Sequence, residues 1–217
     1  MRLITASYLA QQEHLPAAGK HLVAQYDASH VWVYQAYKPS IAAFAVRHGA
    51  FGGDEYSFNR MSWIKPNFLW MMYRSGWATK PGQEAILAIR IAKEHFEQIL
   101  TGAVHSSFKP DVYRTHAAWQ EALGSSDVRL QWDPDHDPYG IKLERRAIQL
   151  GLRGKVLRQF ATRWIVDIED ITPFVAEQRQ HVEARALDRL VVPVESVYPV
   201  TDEGLAAQLK LQKASLL

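Results

Sequence analysis

A chain of 217 residues with 47% hydrophobic and 22% charged residues holds enough material for one sizeable core and has the make-up of a soluble globular protein. Its formal net charge of +2 excludes a global polycation, so any nucleic-acid partner must be held by a local patch. The lack of cysteine excludes disulfides, thiol nucleophiles and thiolate zinc sites. With no apolar signal core in Met1–Tyr8 and no apolar run of about 18 residues, a cytoplasmic protein without a membrane span is expected.

Residues 1–28 are mixed and polar and read as an irregular or partly helical lead-in. His30–Tyr37, rich in β-branched and aromatic residues, reads as a strand. Pro39 suits the first turn of a helix over Ser40–His48, with Ile41, Phe44 and Ala45 on one face. Gly49, Gly52 and Gly53 stop it and open a loop to Phe58.

Arg60–Trp77 then gathers three Trp, one Phe, one Tyr, three Met, two Arg and one Lys. Aromatic faces interleaved with cations suit a pocket for a flat anionic ligand such as a nucleotide. A buried strand–helix junction with snorkelling charged ends is the competing reading. Pro66 divides the segment: a strand precedes it, and Phe68–Arg74 is a strand or a short helix. Lys80-Pro81-Gly82 is a turn, Ala85–Ile91 a strand, and Lys93–Thr101 a helix.

Residues 105–140 read as irregular with short helical pieces near Tyr113–Leu123, and Trp132–Gly140 as a loop dense in turn formers. Leu143–Leu152 is apolar with embedded cations. Lys155–Thr162 reads as a helix, Trp164–Ile168 as a strand and Val175–Leu187 as a charged helix. A late strand spans Arg189–Val200 around Pro193, and an exposed terminal helix spans Leu205–Leu217. This order defines an α+β chain: a lead-in at 1–28, one catalytic-type domain at 29–200, and a C-terminal helix or tail at 201–217.

Familiar motifs are missing. There is no GxGxxG after a strand, no GxxxxGK[ST], no GxSxG and no HExxH. Asp133, Asp135, His136 and Asp137 have a metal-loop composition without calcium-hand spacing, so no metal is expected. Between residues 142 and 163 seven cations face one acid, Glu144, which suits either a phosphodiester contact surface or a solvated face.

Tyr34–Ile41, Met61–Trp77 and Arg146–Leu152 resemble a bacterial family catalogued only as domain-of-unknown-function family 4291, over roughly Ser29–Val200. More distantly, the order of elements resembles the ADP-ribosyltransferase superfamily, particularly its nucleic-acid-modifying members. That resemblance implies split antiparallel sheets flanked by short helices, with counterparts at Val31–Gln35, Met61–Arg74, Ala85–Ile91 and Ala147–Leu150. It implies NAD as substrate and cleavage of its nicotinamide–ribose bond through an oxocarbenium-like transition state.

On that resemblance Gln35, with Tyr34 beside it, contacts the adenosine ribose or phosphates. Lys65 and Arg74 meet the pyrophosphate. Trp63, Trp70 and Tyr73 stack on nicotinamide or adenine, and Asn67 either bridges to a ribose hydroxyl or caps the turn after Pro66. Gln149 holds the ribose 2′-hydroxyl, where the superfamily usually presents Glu. A Gln is no general base, and Glu144 is the nearest carboxylate in sequence. Arg145, Arg146 and Arg153 are the nucleic-acid contacts. The implied activity is NAD-dependent ADP-ribosyl transfer to a nucleic acid; the alternatives are a non-catalytic nucleotide or RNA-end binding module and an RNA 2′-phosphotransferase reading its substrate through Arg145 and Arg146.

Overall fold

The structure, a computed structural model, describes residues 3–212. The chain opens with β1 (Thr5–Ser7), α1 (Tyr8–Glu13) and the two-residue strands β2 (Gly19–Lys20) and β3 (Val23–Ala24). The expected strand is β4 (His30–Tyr37), and α2 (Pro39–His48) follows with Pro39 in its first turn. Gly49 ends α2 at φ 62, a left-handed conformation that glycine adopts without steric cost. The aromatic segment resolves into β5 (Ser62–Ile64) and α3 (Phe68–Ser75), and β6 (Ala85–Ala92) and α4 (Lys93–Thr101) fall where expected.

β7 (Ala103–His105), α5 (Pro110–Tyr113) and α6 (His116–Ser125) lead to a long hairpin, β8 (Val128–His136) and β9 (Lys142–Leu152). Then come α7 (Gly154–Gln159), a π-helical stretch at Phe160–Trp164, β10 (Ile165–Asp170) and α8 (Thr172–Glu183). The last elements are β11 (Val191–Pro193), β12 (Ser196–Val197) and α9 (Glu203–Leu209). The architecture is mixed α+β.

Two sheets organise it. The first, β10-β6-β4, is antiparallel throughout. The unbroken apolar run of β6 is explained by burial on both faces. Leu87, Ile89 and Ile91 join Val31 and Val33 in one core, while Ile86 and Ala88 join Tyr34 and the apolar residues of α3 in another. The second sheet runs β2-β9-β8-β7, with β5 also on β9. It is mixed, not antiparallel as the resemblance implied. β7 pairs parallel to β8 because α5 and α6 form the crossover between them, and β2 lies parallel to β9.

The loop expected at Trp132–Gly140 is strand as far as His136, and only Asp137–Ile141 form the turn. Pro134 lacks a donor, and the ladder accommodates it at a register shift between Pro134 and His136. The strand expected over Arg189–Val200 is two short strands: β11 pairs with β1, and β12 with β3. The terminal helix is shorter than expected and docked rather than exposed. Leu209 is fully buried, and the Leu209 carbonyl accepts from Trp132 Nε1 at 2.9 Å. Residues 213–217 of that expected helix lie outside the described residues. Among the described residues no helix is long and apolar enough to cross a membrane.

Candidate functional site

The two sheets meet where Tyr34 of β4 and Lys65, just past β5, exchange backbone hydrogen bonds of 2.7 and 3.1 Å. Beside this junction a cavity of about 690 Å³ opens. Gln35, Trp63, Lys65, Arg74 and Gln149 all line it, so stretches from β4, β5–α3 and β9 converge on one space.

Gln35 projects from β4 and is 2% exposed. Its Nε2 donates to Ser62 Oγ at 2.7 Å and to the Trp63 carbonyl at 3.2 Å. Its Oε1 has no hydrogen-bond partner among the described residues, an uncommon state for a buried acceptor. Lys65 is 6% exposed, and its Nζ donates to the Trp63 carbonyl at 3.2 Å. Burial lowers its pKa to about 7; the nearby Arg74 guanidinium adds to the shift, and Asp133 opposes it. Arg74, in the last turn of α3, is exposed at the rim.

Gln149 of β9 lies opposite Gln131 of β8, and both amides donate to Asp133: Gln149 Nε2 to Oδ2 at 2.7 Å and Gln131 Nε2 to Oδ1 at 2.9 Å. One carboxylate thus orients two amides. Two residues along β9, Gly151 admits Met61 and Trp63. A Cβ there would sit 2.5 Å from Met61 Sδ and 3.0 Å from a Trp63 ring carbon. Gly151→Val is therefore expected to push both side chains into the cavity and to destabilise the fold by about 1–3 kcal/mol. Thermal melting checks this, and an unchanged midpoint would refute the packing argument.

Other residues expected at the site lie elsewhere. Tyr34 is fully buried and packs edge-on against Phe68, because the alternation of β4 turns it away from Gln35 into the second core. Asn67 is the N-cap of α3: its Oδ1 accepts from Trp70 N at 2.8 Å, so of its two expected roles the structure shows the cap. Trp70 and Tyr73 stack with each other and with His136, and neither lines the cavity. Most of the aromatic segment is core, with Phe68, Leu69, Trp70, Met71 and Met72 all buried on α3.

Glu144 is exposed and absent from the cavity wall. Arg145 corrects the expectation of a nucleic-acid contact: it is 2% exposed, its Nε pairs with Asp135 at 2.7 Å, and its Nη1 donates to the Pro16 carbonyl at 2.8 Å. Such a buried charge is held by its partners and is not offered to solvent. Arg153 is anchored but remains partly exposed, its Nη2 donating to the Leu123 and Ser126 carbonyls near the end of α6 at 3.1 and 3.0 Å. Arg146, three residues before Gln149 on β9, faces the opposite side of the sheet.

Sequence reading missed Asp133, Gln131, Ser62 and Arg60. The first two alternate on one face of β8, a period-two signal that Asp-Pro-Asp obscures. No group of three or more potential metal-ligating side chains occurs among the described residues.

The arrangement defines a basic cavity with an unpaired buried acceptor, Gln35 Oε1, and a carboxylate-oriented pair of amides. The family model described as a domain of unknown function (DUF4291) matches residues 21–198, and the chain belongs to that family. No curated protein matches the chain.

Proposed function

We propose that this protein is an ADP-ribosyltransferase-like enzyme that uses NAD to modify a nucleic acid. The observation that carries the reading is the convergence of Gln35, Lys65, Arg74 and Gln149, from three separated stretches, on one cavity. A dinucleotide brings two phosphates, with which Lys65 and Arg74 form charge-assisted bonds. An incoming anion raises the pKa of Lys65 from about 7, so the ammonium is charged in the complex. Gln35 Oε1 accepts from a donor on the ligand, which satisfies an otherwise orphaned atom. Trp63 offers a flat apolar wall.

In the transfer, the bond between ribose C1′ and nicotinamide breaks, an acceptor atom bonds to C1′, and the acceptor loses a proton. With Nε2 held by Asp133, Gln149 turns its oxygen to the ribose hydroxyl but takes no proton. The acceptor's proton passes to solvent, since the candidate carboxylate Glu144 is absent from the cavity wall, and the part of Asp133 is to orient Gln149. The negative charge of Asp133 also favours the cationic ribose of the transition state.

Purified protein incubated with labelled NAD and mixed nucleic acids tests the reading. Label on the polymer is the expected result. Tight NAD binding without nicotinamide release would favour a non-catalytic nucleotide-binding module instead. NAD consumption only with 2′-phosphorylated RNA would favour the RNA 2′-phosphotransferase, although the Arg145 of its expected clamp is buried against Asp135. Gln149→Ala is expected to slow turnover about 10–100-fold with little change in NAD affinity. Wild-type turnover in that variant would remove Gln149 from the mechanism.

A further inference from the structure

A second concavity of about 610 Å³ lies on the other face of β9, lined by Lys20, Arg146 and Lys210 together with Asp111. Parallel pairing of β2 with β9 sets Lys20 beside Arg146. Lys210 arrives from α9, and Lys109 stands close enough to act on the same charge. Burial lowers the pKa of Lys20, and Lys210, Lys109 and Arg146 lower it further. Three like charges depress it against the single acid Asp111, which Lys210 already engages. Neither Lys20 nor Arg146 has an ion-pair partner among the described residues.

The backbone around these cations is built to hold them. Lys210 sits at φ 59 as the C-cap of α9, a left-handed position that glycine would occupy with less strain. That turn sends Gln212 back onto β2, where Gln212 N donates to the Lys20 carbonyl at 2.9 Å and Gln212 Oε1 accepts from Lys20 N at 2.9 Å. Retaining a lysine where glycine is easier keeps a cation at the concavity.

We propose that this concavity binds a compact, multiply charged phosphate group, of the phosphomonoester or pyrophosphate type. Cations from separate elements converge on one hollow and do not line a track, which suits a terminal phosphate better than a run of phosphodiesters. Arg146 supplies the planar fork and Lys20 and Lys210 the point charges. The group belongs either to a nucleic-acid end or to a small phosphorylated molecule.

The test titrates inorganic pyrophosphate into wild-type protein and into Arg146→Gln, Lys210→Gly and Lys65→Met variants. Affinity is expected to fall about tenfold or more in the first two. The Lys210→Gly protein should melt no lower than wild type, since its backbone strain is relieved, which separates loss of binding from loss of fold. Lys65→Met, in the other cavity, should leave this binding component intact, so its outcome stands apart from the NAD reading. Competition by a 5′-phosphorylated oligonucleotide well above that of its 5′-hydroxyl counterpart assigns the group to a nucleic-acid end; equal competition assigns it to a small molecule. No pyrophosphate binding to wild type, or equal affinity in Arg146→Gln and Lys210→Gly, overturns the proposal.

Discussion

Lys65→Met is expected to make the protein more stable at pH 6 while removing most of the nucleotide affinity proposed for the cavity. In the unfolded chain the lysine titrates near 10.5, and in the fold near 7, chiefly through burial. The folded state therefore binds fewer protons than the unfolded state between these values, and stability rises with pH across that window. Conversely, stability is lost as pH falls from about 10 through about 7, because an ammonium must then be accommodated in a buried space. A shift of this size corresponds to about 3–5 kcal/mol. Methionine fills a similar volume without the charge. Denaturant unfolding at pH 6 and at pH 10 reads the effect. The variant should exceed wild type at the lower pH and lose that advantage at the higher one. An equal difference at both would mean that Lys65 is solvated. Nucleotide affinity should drop at least about tenfold, since one charge-assisted contact is lost.

Glu195→Ala is expected to cost about 3–4 kcal/mol and to blunt ligand binding at a cavity it does not line. Glu195 is buried just before β12, and its carboxylate accepts from Phe68 N at 2.6 Å and from Asn67 Nδ2 at 2.9 Å. It thus satisfies the first turn of α3, the helix that carries Arg74 in its last turn and begins three residues after Lys65. Alanine leaves two buried donors without acceptors. Burial pushes the Glu195 carboxyl well above the usual carboxylate range, against the hydrogen bonds from Phe68 N and Asn67 that favour the anion. Because the folded pKa is raised, its contribution is full below about 4.5 and is lost as pH rises through the folded value. Glu195→Gln should flatten that pH dependence in chemical unfolding, and an unflattened curve would place its origin at another group.

The elements with a single strong period were legible in the sequence. β4 declares itself by its β-branched and aromatic run, and β6 by eight residues with one charge. The convergence of Gln35, Lys65, Arg74 and Gln149 was legible as an order of motifs, although none of those motifs is decisive alone. What stayed hidden depends on contacts between distant segments. Pro134 masked a strand whose partner is supplied by β9. Arg145 looks like every other cation in its cluster until the fold sets Asp135 2.7 Å away. Trp70 and Tyr73 share a helix with Arg74, and only the packing of α3 on β8 and His136 decides which face looks into the cavity. Composition announced aromatic surface near cations, and geometry divided it between core and pocket.

The contact between the opening helix and the late chain has a reach beyond its own neighbourhood. Gln11 of α1 brackets the Glu195 backbone, its Oε1 accepting from Glu195 N at 3.0 Å while its Nε2 donates to the Glu195 carbonyl. Glu195 in turn holds the start of α3. A trimmed amino terminus would loosen the seat of Lys65 and Arg74, more than fifty residues downstream, without altering a single atom of either.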